Sequence, residues 1–347
     1  MEGILIRRKF GGKSVVAEIR LFAQDSHDPG DMKKHSPVSI LSGAALLLAT
    51  QASLADSLIE KVTAFLQPRL QTVDPAPVGT SAWEEILARP DPGTFFLRYA
   101  FGIQRNASKV LKPKQVDELE QTIARHSPAH SRWHDERNTL RCKYNEVLWR
   151  YVGAGDAEAA VLRIELTEWM RLRMTWTEQE HLAQYRFARD VWKVLDESQR
   201  AKLLSGEWKA YAKQDTGHTR GDATNRIITR ALGKPDDMEV FNRSAGLWSE
   251  ARLPLQATVA EGENNERRLV FAMDLNNEAM VHEANRIATA AYSKLYLADA
   301  DAIRRIVRSS YKDPKSKCDK AAAEAWREAS ERFEVGAPDL FRLLNKR

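Results

Sequence analysis

From Ala157 to Leu195 the chain contains neither proline nor glycine. Leu162, Leu166 and Trp169, and later Tyr185, Ala188, Trp192 and Leu195, recur three or four positions apart on an otherwise densely charged background. That period is the signature of an amphipathic helix with one apolar stripe. Such a helix is about 60 Å long at roughly 1.5 Å per residue, and its stripe needs a partner helix to cover it. The stretch therefore predicts a mostly α fold: a helical hairpin or bundle of long charged helices, with a helical C-terminal extension.

Helix start and stop signals surround this stretch. Ser81-Ala-Trp-Glu84 forms a capping box opening a short helix that residues 89–93 end. A second helix runs from Phe95 toward Val110. Ser127 and Pro128 read as a cap and first-turn proline of a helix reaching about Val152, and Asp156 reads as the cap of the long helix. Past Gly206 the pattern loosens, with loops at 213–222, 232–237 and 260–268. Residues 253–259 and 268–273 read as a short strand hairpin. Helices are expected again from Asn276 to Ser310 and from Asp319 to Phe333. The loosening near 206–222 suggests a boundary between a helical domain at 56–205 and a mainly helical region at 206–347.

A chain beginning at Met32 would open with Lys33 and Lys34, an apolar run around Ile40–Leu48, then Ser53 and Ala55. This order matches a secretory leader cut after Ala55. Its apolar run is well short of the roughly 20 residues that span a bilayer. The expectation is a periplasmic or otherwise exported protein without a membrane span, with residues 1–31, which lack helical or strand periodicity, upstream of the true start. Apolar residues make up 43% and charged ones 29%, a balance that suits a folded protein. Without residues 1–55 the charge is nearly balanced, so nothing argues for a nucleic-acid partner. Cys142 and Cys318 permit one disulfide and exclude a CxxC redox pair.

A small pattern occurs twice, as Leu111-Lys-Pro-Lys-Gln115 and Leu195-Asp-Glu-Ser-Gln199. In the second, Asp196 is placed to cap a helix with Gln199 at its third position, reaching back. In the first, Pro113 suits the first helical position, but the Lys112 side chain has no acceptor to offer. The pair resembles the LTxxQ motifs of the small helical periplasmic proteins of the Spy/CpxP type, over about residues 104–205. The resemblance implies a helical hairpin, often dimerised into a cradle, that binds unfolded or stress-exposed proteins without ATP. Its client contacts would be Arg163, Trp169, Met170, Arg171, Arg173, Met174 and Trp176, because basic groups attract chains from a distance and Met and aromatic side chains adapt to many sequences.

Two other readings compete. His130 and His134 stand four residues apart, a spacing that supplies two ligands to zinc or another divalent metal, with Asp135, Glu136 and Cys142 nearby in sequence. A metal-responsive periplasmic protein is the alternative that follows; a structural or adaptor protein with its tryptophans in the core is the third. No GxSxG elbow, HExxH pair, phosphate loop or dinucleotide turn is present, so the expected protein is not an enzyme and carries no resident cofactor.

Overall fold

Two helices of nearly equal length set the architecture. In this computed structural model, which describes residues 5–10, 13–18, 56–73, 109, 111–205, 223–272 and 278–345, α1 covers residues 56–66 and leads into a 3-10 turn at Gln67–Arg69. Next come α2 (Pro113–Gly153) and α3 (Asp156–Val194), joined only by Ala154 and Gly155. A link so short forces the two helices antiparallel. After them come α4 (Glu197–Ser205), α5 (Ala223–Leu232), α6 (Met238–Ala272), α7 (Glu278–Ser310), α8 (Pro314–Gly336) and α9 (Pro338–Asn345). The fold is mostly α, as the helical periodicity predicts.

The chain divides into two units, Met1–Leu46 and Leu47–Arg347. In the first, β1 (Leu5–Phe10) and β2 (Lys13–Glu18) pair antiparallel, with Leu5 opposite Glu18 and Phe10 opposite Lys13. The lack of apolar–polar alternation in these strands hid them.

In the second unit α2 is covered on two sides. α3 lies along one, and α8 runs antiparallel along the other. A Cβ at Gly153 would meet Cys318 Cβ at 2.7 Å, and one at Gly336 would meet Asp135 Oδ2 at 2.8 Å. Gly153 thus lies where the α8 backbone comes close, with Lys315 Cα at 3.3 Å, whereas at Gly336 the Asp135 side chain fills the space. α7 packs on both α2 and α3, and α6 packs along α7. One hydrophobic core contains Trp133 and Val147 of α2, Leu166 and Trp169 of α3, Ile303 and Val307 of α7 and Ala321 of α8. Residues on either side of the expected boundary at 206–222 therefore share one core.

Several local expectations need correction. α2 does not begin at Ser127: Pro128 lies inside it. Leu119 and Thr122 before the proline are buried like Trp133 and Leu140 after it, and this burial on α3 outweighs the backbone bond that proline cannot make. α6 runs through residues 253–272, so the expected strand at 253–259, the loop at 260–268 and the described part of the strand at 268–273 are helix instead. Its buried Phe241, Ala245, Arg252 and Val259 keep helical spacing. Gly155, not Asp156, is the N-cap of α3, and α8 begins at Pro314 on an Asp313 cap whose carboxylate accepts from Ser316 N. The loop at 232–237 is present, opened by left-handed Gly233 (φ 74°) at the end of α5. The box at Ser81–Glu84, the segment at 89–93, the leader at 32–55 and the loop at 213–222 lie outside the described residues, as does the helix from Phe95 toward Val110 apart from Lys109.

Candidate functional site

The two motif copies meet at the open end of the α2–α3 hairpin. α2 leaves the Leu111 region and α3 returns to it, so arms of similar length bring positions 84 residues apart together. In the second copy α3 stops at Leu195, whose N–H bonds Trp192 O, and Asp196 opens α4. Asp196 Oδ1 accepts from Gln199 N at 2.9 Å, and Gln199 Oε1 accepts from Asp196 N at 2.9 Å. This is the expected capping box. In the first copy Gln115 Oε1 accepts from Lys112 N at 3.0 Å; the Lys112 ammonium caps nothing in its own helix and reaches Asp196 Oδ2 at 2.9 Å instead.

The two glutamines also bond each other. Gln115 Nε2 donates to Gln199 Oε1 at 2.7 Å and Gln199 Nε2 donates back to Gln115 Oε1 at 2.9 Å. Gln115 Nε2 also donates to Val194 O at 2.8 Å. Each glutamine oxygen thus accepts twice, once from its own helix start and once from its counterpart. Leu111 and Leu195 are buried beside this node. Lys112 and the Gln199 N–H hold the Asp196 carboxyl below its usual range.

The residues expected to contact clients do not form an open surface. Trp169, Met170, Met174 and Trp176 are core residues. Trp176 Nε1 donates to buried Glu136 Oε2 at 3.0 Å and its ring meets Trp133 edge-on. Arg163 forks onto Asp301 at 2.8 and 3.0 Å, Arg171 pairs with Glu168 at 2.9 Å, and Arg173 lies over the rings of Tyr144 and Tyr296. The physical reason is a second cover: α3 faces α7 as well as α2, so more than one of its faces is dry.

His130 and His134 do come together, with rings stacked at 6.1 Å. His134 Nδ1 lies 3.1 Å from Glu180 Oε1, and Arg137 lies 2.7 Å from Glu180 Oε2. Among the described residues no three His, Cys, Asp or Glu side chains converge as a metal site, and the histidines face a hydrogen-bonded helix seam. Cys142 and Cys318 are unbridged and buried; burial pushes the Cys318 thiol up to about 12.

Sequence reasoning missed the charged groups that tie the layers together. Arg252 forks onto Asp299 at 2.6 and 2.8 Å in the interior, with Trp248 Nε1 donating to the same carboxylate. Arg186 joins Glu278 to Gln71 and Thr72. No local pattern marks such pairs, since each joins positions far apart in sequence. Large apolar side chains are exposed elsewhere, including Leu247 and Leu253 on α6 at 65% and 60%. No helix among the described residues is long and apolar enough to cross a membrane.

No family model, curated protein or solved structure matches this chain.

Proposed function

We propose that this chain is an exported, non-catalytic binding protein that holds unfolded or stress-exposed proteins without ATP, in the manner of the LTxxQ proteins it resembles. The observation that carries the reading is the node at Gln115 and Gln199. Both motif copies open helices, and the two join to close one long hairpin. Because Trp169, Met170, Met174 and Trp176 are core residues, clients meet another surface. Exposed Leu247 and Leu253 on α6, with exposed Arg230 on α5 and Arg243 on α6, combine the apolar and basic chemistry that an unfolded chain needs. Export rests on the leader from Met32 to Ala55.

The test is aggregation of a chemically unfolded model client diluted into buffer without nucleotide. The full chain at equimolar ratio is expected to suppress light scattering, and Leu247→Glu with Leu253→Glu to weaken that suppression several-fold. Unchanged scattering with the wild-type chain removes the chaperone reading. N-terminal sequencing of the native protein is expected to begin at Asp56; uncleaved chain recovered from the cytosol would remove export.

A further inference from the structure

Three histidines of α2 stand four residues apart and turn toward α3. His126 Nε2 lies 2.8 Å from Asp190 Oδ2, a carboxylate that Arg125, Arg189 and Lys193 also approach. His134 Nδ1 faces Glu180 at 3.1 Å. Each of these two histidines thus faces a carboxylate. His130 between them also meets the side-chain amide of Gln184.

His130 Nε2 lies 3.4 Å from Gln184 Nε2, and that same amide nitrogen lies 3.3 Å from Glu180 Oε1. An amide nitrogen only donates, so it suits both neighbours when His130 presents the lone pair of a neutral ring at Nε2. Turning the amide over offers no escape. Its oxygen would then accept from a protonated His130 but would also face the Glu180 carboxylate, which is 2% exposed, oxygen against oxygen. A proton on His130 Nε2 therefore sets two donors against each other or breaks the bond from Gln184 to Glu180. It also adds positive charge beside the stacked His134 ring and near Arg137.

We propose that Gln184 makes this seam a pH-sensitive latch: it holds α2 against α3 while His130 is neutral, and it releases when His130 is protonated. Among the described residues, the charged and titratable groups acting on His130 include His134, Asp135 and Arg137 from α2 and Glu180 from α3. Burial, the largest influence, holds the imidazole below its ordinary value of 6.5; Glu180 opposes this, while His134 and Arg137 add to it. A base whose folded-state value lies below its unfolded one binds fewer protons when folded. The seam is therefore intact above pH 6.5 and loses stability as pH falls from there through the lower folded value.

Two titrations of the full chain from about pH 8 to about pH 5 test the latch. In the first, the His130 ring is followed by NMR. Its midpoint is expected below 6.5 and is expected to move up in Gln184→Met, which removes the competing donor. In the second, hydrogen exchange of the α2 amides around His130, corrected for intrinsic rates, is expected to accelerate several-fold on acidification. His130→Asn, which stays neutral throughout, should abolish that acceleration; His126→Asn should leave it. A wild-type midpoint at or above 6.5, a midpoint unmoved by Gln184→Met, or equal acceleration in His130→Asn overturns the proposal.

Discussion

Gln115 and Gln199 do two jobs each. Their oxygens cap a helix from within, and their amides join two helix starts that lie 84 positions apart. Removing either amide leaves its counterpart buried and short of a partner, a loss of about 2 kcal/mol. In urea denaturation, Gln115→Leu and Gln199→Leu are each expected to cost about that much. The double variant should cost less than the two together, by about 1 kcal/mol or more; simple additivity would show that the glutamines are independent caps. Lys112→Ala offers a contrast, since its ammonium is mostly exposed and should matter by less than about 1 kcal/mol. Both capping glutamines were legible, because a capping box is a local pattern. Their contact was not, because local chemistry does not say where a helix returns. The tryptophans of α3 tell the same story: the stripe through Leu162, Leu166 and Trp169 was plain, but the burial of Met170, Met174 and Trp176 as well was not, because no local period says which distant helices cover α3.

At the scale of elements, packing overrides local helix breakers. Pro128 and Pro254 sit inside α2 and α6, and Leu255 and Val259, which pack on α7, keep a helical period within the segment expected as a strand. The α6–α7 contact is close because Gly262 and Ala288 meet: a Cβ on Gly262 would lie 3.0 Å from Ala288 Cα. That neighbour is backbone and cannot turn aside. Gly262→Leu is therefore expected to destabilise the protein by about 1–3 kcal/mol through overpacking. The measurement is the shift in denaturation midpoint, with Gly246→Ala as the reference, since nothing lies within 4 Å of a Cβ there. Equal effects at the two glycines would mean that α6 and α7 are not closely apposed at Gly262.

Over the whole second unit, the helices after residue 206 complete a core begun before it. Ile303, Ile306 and Val307 of α7 belong to the same cluster as Leu166 and Trp169 of α3, and the Arg163–Asp301 pair spans the same junction. Neither half can bury its apolar surface alone. The expected result is one unfolding transition, with tryptophan fluorescence, far-UV circular dichroism and hydrogen exchange of α7 and α8 giving coincident midpoints. Separate midpoints for α2–α3 and α7–α8 would restore the two-domain division at 206–222.

The sequence by itself determined the helical class, the long uninterrupted α3, the two capping glutamines and the loop at 232–237, because periodicity, caps and turn residues act over a few neighbours. Only the tertiary structure decided that the two motifs touch, that α3 is covered from more than one side, that Pro128 and Pro254 lie within helices, and that His130 lies against the Gln184 amide. Those outcomes depend on which distant surfaces exclude water together, and burial of that kind is set by the whole arrangement of helices rather than by any short run of residues.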